Sequence, residues 1–275
     1  MSIFQAVILG AVQGITEFLP VSSSGHLVLF QRIFGITEPT LFFDTMVHAG
    51  TLAAVFAVLW KDIWGILRRI VQPLTLYLIT ATLPAVVFAL LFKDSIENAF
   101  ASGSFLGFAF LVTSALLVIA EVRSKGAGKP ARTAGPGREI KWPDALIIGL
   151  LQAAAIVPGI SRSGATLSGA LSRGLDRDFA ARFSFLLSIP AILGALVLQI
   201  GDLAGARAGP APEAVEGIGA APLAAGTLAA ALVGFFSIRL MLKIVRERSL
   251  TGFAVYTGVL GALVLADRFG PRLFF

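Results

Sequence analysis

Along this chain polar residues are sparse, and apolar residues run in blocks about as long as a bilayer is thick. Leu74–Phe92 holds 19 residues without a formal charge, and Gly217–Ile238 holds 22. A hydrocarbon core about 30 Å thick is crossed by about 20 helical residues. The pattern therefore predicts six spanning helices, at about Phe43–Trp60, Leu74–Phe92, Ser104–Ala120, Phe183–Ile200, Gly217–Ile238 and Leu250–Ala266. Two further apolar regions, Ile3–Phe34 and Trp142–Gly174, are interrupted by polar turns. The first turn reads Pro20-Val21-Ser22-Ser23-Ser24-Gly25-His26, and the second Pro158-Gly159-Ile160-Ser161-Arg162-Ser163-Gly164. The helical piece before each turn is about 15 residues, or roughly 22 Å, too short for a crossing. Each region thus predicts a re-entrant helical hairpin.

The two interrupted regions resemble each other. A shift of 139 places Ala6 on Ala145, Ile8 on Ile147, Gly10 on Gly149 and Gln13 on Gln152. It continues without a gap through Ser22 on Ser161, Ser24 on Ser163, Gly25 on Gly164 and Gly35 on Gly174, and one residue of slippage brings Phe43 onto Phe183. Internal repeats of this kind decide a fold. Each half is a hairpin plus three spans, and an odd number of crossings inserts the second half upside down, as in many transporters. The expected fold is an all-α polytopic membrane protein with an inverted-topology repeat, six transmembrane helices and two re-entrant helical hairpins. It reads as a single membrane domain, 1–275, with a first repeat at 1–120, a linker at 121–141 and an inverted second repeat at 142–275.

Composition agrees. Of 275 residues, 56% are hydrophobic and 14% charged, against roughly 25% charged in a soluble domain, and the mean hydropathy is +0.87. There is no cysteine, so thiol and disulfide chemistry are absent, and two histidines do not suggest a His-rich metal cage. No cleavable signal peptide is expected, because the first apolar stretch lacks a basic start and a small-residue cleavage site. The net charge of +6 sits in short loops. With the N-terminus outside, segments 61–73, 121–144, 173–182 and 239–249 lie inside and carry 16 of the 22 Lys/Arg, against 5 outside. That bias predicts both termini outside. Hairpin one then enters from outside and hairpin two from inside, so that their polar tips meet. The basic, Gly/Pro-rich linker at 121–141 is expected on the cytoplasmic side, near anionic headgroups. Nucleic acid is not expected as a partner.

Ionisable groups inside a membrane cost at least about 2.5–3.5 kcal/mol at a helix centre, so they need a reason. Glu17, His26, Asp44 and Arg162 are four such groups. Gln13 and Glu17, four apart, share a helix face. The polar turns supply hydroxyls and free backbone N–H groups at helix starts, which suit an anion. Ser22, Ser24, Gly25, Ser161, Ser163, Gly164 and Thr166 form the candidate binding set. The planar fork of Arg162 matches a pair of phosphate oxygens. Within Ser22–Ser24 lies a candidate nucleophile, with Glu17 or His26 as its base and Arg162 with both helix starts as fixed donors. Each feature has a plainer reading. Small residues serve close helix packing, Arg162 and Glu17 can form a structural ion pair, and Asp44 with His48, four apart on one face, reads as a structural or outlying pair. Their coincidence at two repeat-related breaks favours phosphoryl chemistry on a substrate already in the membrane. A carrier or flippase is the alternative, since inverted repeats with broken helices are transporter architecture.

The stretch Gln13-Gly14-Ile15-Thr16-Glu17-Phe18-Leu19-Pro20-Val21-Ser22-Ser23-Ser24-Gly25-His26 resembles the first signature of the undecaprenyl-diphosphate phosphatases, the bacitracin-resistance proteins of the BacA type. Pro158–Thr166 resembles the second signature, and the similarity extends over essentially the whole chain. The first signature begins with Glu or Gln; with Gln13 here, any acid role falls to Glu17 alone. The resemblance implies hydrolysis of undecaprenyl diphosphate to undecaprenyl phosphate and inorganic phosphate, recycling the carrier for envelope polymers. By position it implies Ser23 as nucleophile, Glu17 as its activator or a metal ligand, His26 as acid or base and Arg162 as the diphosphate clamp. It further implies a divalent cation, magnesium or calcium; with few acidic residues available, such a cation is expected to be held largely by the diphosphate itself. The expected location is the bacterial plasma (inner) membrane, with the pocket open to the outer face. The expected partners are the polyprenyl diphosphate lipid and, as an option, a second copy in a homodimer.

Overall fold

The computed structural model describes residues 1–36, 40–92, 95–96, 105–125, 138–206 and 218–270. Most of the linker (126–137), Ser104 and Gly217 lie outside the described residues. Among those described, regular structure is helical apart from one bridge between Arg138 and Leu175. Six helices are long and apolar enough to span: α3 (Leu41–Val58), α5 (Pro73–Leu91), α6 (Leu106–Lys125), α9 (Arg177–Ala206), α10 (Ala220–Glu247) and α11 (Thr251–Phe269). They correspond to the six expected spans. A short helix, α4 (Trp60–Arg68), follows α3, and no span was expected there. It has no buried residue, and Trp60, Trp64 and Leu67 are exposed beside Lys61 and Arg68. Such a face suits a membrane interface. Helix α5 fully buries only Ala81, and Leu76, Ile79, Leu83, Val86, Val87, Leu90 and Leu91 leave an apolar face exposed to lipid.

The two interrupted regions each form a pair of short helices. The first pair is α1 (Ile3–Thr16) with α2 (Ser23–Ile33), and the second is α7 (Trp142–Ala154) with α8 (Arg162–Ser172). Each pair packs together. Matching residues begin and end the inner helices. Ser22 and Ser161 are N-caps, accepting hydrogen bonds from Gly25 N and Gly164 N at 3.3 and 3.0 Å. Gly35 and Gly174, with φ of 63° and 75°, follow the last turns. That left-handed position at a helix C-terminus is one glycine fills at little cost. In the second pair Asp144, in the first turn of α7, is ion-paired at 2.7 Å with Arg173, just past α8. The chain therefore returns to the end from which it set out. In the first pair Met1, Phe34 and Ile36 gather around Ala6, Leu9 and Leu27, with the same result.

The halves are exchanged rather than side by side. Helix α1 packs on α10, and α7 on α5, so each hairpin lies against the second span of the other half. Repeat-related glycines make both contacts close. A Cβ added at Gly10 would sit 2.1 Å from Gly226 O, and one at Gly149 would sit 2.7 Å from Ala81 O. Small residues that let backbones approach drive helix association in lipid. Span α3 meets its counterpart α9, and α6 meets α11. The largest core cluster, which includes Phe18, Leu59, Leu171, Phe183, Phe185 and Ile238, draws on both halves. It lies against the two polar breaks, where Phe18 meets Phe185 edge-on at 5.5 Å.

Candidate active site

The breaks between the paired helices run from Glu17 to Ser22 and from Ala155 to Ser161. The 139-residue shift pairs Ser23 with Arg162, and each is the first residue of its inner helix, α2 or α8. Two helix N-termini, one carrying a hydroxyl and the other a guanidinium, therefore meet at the centre of the molecule. Beside them opens a cavity of about 330 Å³. Glu17, Ser22, Ser23, Ser24, Asp44, His48 and Arg162 give it a polar wall, and Leu27, Val28, Leu41, Ile156 and Ile192 an apolar one.

Glu17 is the hub. It is 6% exposed, and its carboxylate accepts from three side chains. Ser23 Oγ donates to Oε2 at 2.6 Å, Gln13 Nε2 donates to Oε2 at 2.9 Å, and Arg162 Nη2 pairs with Oε1. Arg162 Nη1 reaches the Ser184 carbonyl at 3.2 Å, so the fork is anchored on both sides. His48 Nε2 lies 3.6 Å from Glu17 Oε2. The other ring nitrogen, Nδ1, is 2.6 Å from the Asp44 carbonyl. A carbonyl only accepts, so Nδ1 carries the proton and Nε2 faces the cavity. Ser22 adopts φ 73°, the sole positive φ outside glycine among the described residues. Such strain costs about 1–3 kcal/mol and gathers at functional turns.

Of the residues singled out in the sequence, Glu17, Ser22, Ser23, Ser24, Asp44, His48 and Arg162 meet at the cavity. The rest of the binding set stands behind it. Ser161 caps α8 and its N–H donates to Thr113 Oγ1 at 3.0 Å. Ser163 donates to the Leu19 carbonyl at 3.0 Å, tying one break to the other. Thr166 bonds Ser184 Oγ at 2.6 Å. Gly25 leaves room for the Phe110 ring and Gly164 for Ser161. His26 is 3% exposed and does not line the cavity; its nitrogens are engaged by the Ser22 carbonyl and Tyr256 Oη. His48 is the imidazole facing Glu17, and Asp44 is fixed by Gln31 and Thr40. The sequence hint of His48's place was its spacing from Asp44. Tyr256, one of two tyrosines and set in an otherwise apolar span, carried a weaker hint.

No group of three or more His, Cys, Asp or Glu suited to a metal ion occurs among the described residues. The cavity offers two carboxylates, and all four of their oxygens already accept from protein donors. Magnesium and calcium take six or more oxygens. These residues do not by themselves make a cage for a resident ion. Glu17 Oε1, which accepts from Arg162 alone, keeps one lone pair that could serve as a single ligand.

Together the fold and the cavity define a polytopic membrane protein with a hydroxyl–carboxylate–guanidinium site at the meeting point of two broken helices. The sequence profile of the bacitracin resistance protein BacA family matches residues 6–263. An undecaprenyl-diphosphatase of Carboxydothermus hydrogenoformans is 46% identical over 265 residues, covering 96% of this chain and 97% of that protein. Undecaprenyl-diphosphatase 4 of Bacillus thuringiensis subsp. konkukian is 44% identical over 269 residues, 98% of each chain. An undecaprenyl-diphosphatase of Methanosphaera stadtmanae is 38% identical over 287 aligned positions, covering 96% of this chain and 98% of that one. The chain belongs to the BacA family.

Proposed function

We propose that this protein removes the terminal phosphate of undecaprenyl diphosphate, releasing undecaprenyl phosphate and inorganic phosphate. The observation that carries the reading is the Ser23 hydroxyl, held at 2.6 Å on a buried carboxylate whose other oxygen binds Arg162. A carrier needs groups that bind its cargo but no hydroxyl poised on a base. The names of the relatives point to the same substrate.

Ser23 Oγ attacks the terminal phosphorus while Glu17 Oε2 takes its proton. The bond from that phosphorus to the bridging oxygen breaks, and undecaprenyl phosphate leaves with the electron pair. The proton on Glu17 passes to the departing phosphate oxygen, which restores the carboxylate; water then gives a proton to Glu17 as it attacks the phosphoserine phosphorus, and Ser23 Oγ leaves and takes that proton back as inorganic phosphate departs. Arg162 and the N-termini of α2 and α8 surround the phosphoryl oxygens as their charge redistributes. Fixed donors of this kind act more strongly in a site that excludes bulk water. The prenyl tail stays among apolar side chains. A divalent cation belongs, on this reading, to the diphosphate as its counter-ion and takes at most Glu17 from the protein.

The reading includes a bacterial plasma membrane setting, both termini outside, and a pocket open to the outer face, where the spent carrier of peptidoglycan synthesis appears. Bacitracin resistance, the property for which the matching family is named, belongs to the same reading. A homodimer remains an option within this reading. The test is phosphate release by purified protein in detergent with magnesium or calcium, and an acid quench with substrate labelled in its terminal phosphate. Wild type should release phosphate and trap label on Ser23, while Ser23→Ala should lose at least about a hundredfold in rate. Full turnover by Ser23→Ala would exclude the covalent step, and an inert wild type would exclude the hydrolase.

A further inference from the structure

His26 is buried beside the reactive turn but does not reach the cavity, and a residue from the last span holds it there. Its Nδ1 lies 2.7 Å from the Ser22 carbonyl, which also accepts from His26 N at 3.2 Å. Because a carbonyl only accepts, Nδ1 carries the proton, leaving Nε2 a bare acceptor. Tyr256 Oη, on α11, lies 2.8 Å from Nε2 and donates to it. The rings stack at 5.7 Å with an interplanar angle of 13°, and Phe110 closes the imidazole edge-on at 5.4 Å.

The bonded carbonyl belongs to the Ser22–Ser23 peptide. Its orientation sets the direction of the Ser23 side chain, and Ser22 is the strained residue. The second break provides an internal control. Ser161 caps α8 just as Ser22 caps α2, but at an unstrained φ of −69°, and the residue matching His26 is Ala165. Imidazole and tyrosine thus occur together only on the copy that carries the strain and the hydroxyl.

We propose that Tyr256 is a positioning residue for the reaction: through the His26 ring it holds the Ser22–Ser23 peptide, and with it the Ser23 hydroxyl, against Glu17. Without the phenol donor, the Nε2 lone pair is left unpaired in apolar surroundings. The ring then lacks the contact that fixes its rotation, the Nδ1–H bond to the Ser22 carbonyl weakens as the ring turns, and the strained peptide is released. The inference rests on the hydrolase reading for its kinetic consequence only.

The test is Tyr256→Phe in the full-length protein, which keeps the stacked ring and removes the donor. With two histidines in the chain, isotope-labelled histidine gives nitrogen NMR spectra in which each ring is resolved. Wild-type His26 should show a protonated Nδ1 and a bare, hydrogen-bonded Nε2. In Tyr256→Phe the Nε2 signal should move, and kcat should fall about tenfold with KM within about twofold. Tyr256→Leu, which also removes the stack, should lose at least as much kcat. Unchanged kcat and ring signals in Tyr256→Phe would overturn the proposal, as would a raised KM with kcat intact. If wild type releases no phosphate, the hydrolase reading fails, and the spectra still decide: a wild-type proton on Nε2 overturns the relay, and one on Nδ1 that responds to Tyr256→Phe supports it.

Discussion

A buried carboxylate with three donors, one of them an arginine fork, makes Glu17 the residue that ties the two breaks together and, on the proposed reading, the one on which the chemistry depends. Removing one partner of a buried ion pair costs about 3–5 kcal/mol, largely because the other charge is left unpaired. Glu17→Gln should therefore lower the melting temperature in detergent and reduce phosphate release by about a hundredfold or more. Adding Arg162→Met removes the stranded charge, so the double variant should melt higher than Glu17→Gln yet stay inactive. Full activity in Glu17→Gln, or recovered activity in the double variant, would show the pair to be a structural brace alone. At this scale the sequence was legible where a charge or hydroxyl cluster stood in an apolar block, as with Glu17, Ser22–Ser24 and Arg162. It was not legible which imidazole faces the cavity. His26 lies one turn into α2 and is rotated toward Phe110 and Tyr256, whereas His48 reaches Glu17 from α3. That depends on how two helices are turned about their axes, which only their packing partners decide.

At the scale of elements, residues paired by the 139-residue register take matching places in the two inner helices, although the register alone did not mark them as helix ends. Ser22 and Ser161 cap them, and Gly35 and Gly174 end them. Span boundaries were less legible. Helix α9 begins at Arg177 and α10 runs on to Glu247, beyond the apolar blocks that announced them. Hydropathy marks where lipid ends, but a helix continues into water as long as its backbone bonds and polar side chains allow. Helix α4 was hidden because its nine residues are too few and too polar to register as a span. The glycines separate into two kinds. Gly10 has the Gly226 backbone where a Cβ would go, while Gly252, also helical, has nothing within 4 Å. Gly10→Ala should force α1 from α10 and lower the melting temperature, whereas Gly252→Ala should be neutral or raise stability by up to about 1 kcal/mol. Equal melting of the two variants would mean that the α1–α10 contact does not depend on close backbone approach.

For the whole molecule, the exchange of hairpins between halves accounts for a site that neither half could build alone. Ser23 and Glu17 come from the first repeat, Arg162 from the second, and both inner helices point their N-termini at the same space. Two copies of one motif meet tip to tip if the halves are inserted in opposite senses, which is also what the loop charges predict. The natural absence of cysteine makes this directly measurable. Ser2 and Ser249 are both exposed, the first at the start of α1 and the second between α10 and α11. With both termini outside, Ser2→Cys should react with an impermeant maleimide added to intact cells. Ser249→Cys should react only after the membrane is opened, since it lies in the segment 239–249 with its four Lys/Arg. The reverse pattern would turn the molecule over and open the cavity to the other leaflet. Reaction of both from one side would break the inverted insertion itself, and with it the reason that a serine of one half and an arginine of the other start helices at the same point.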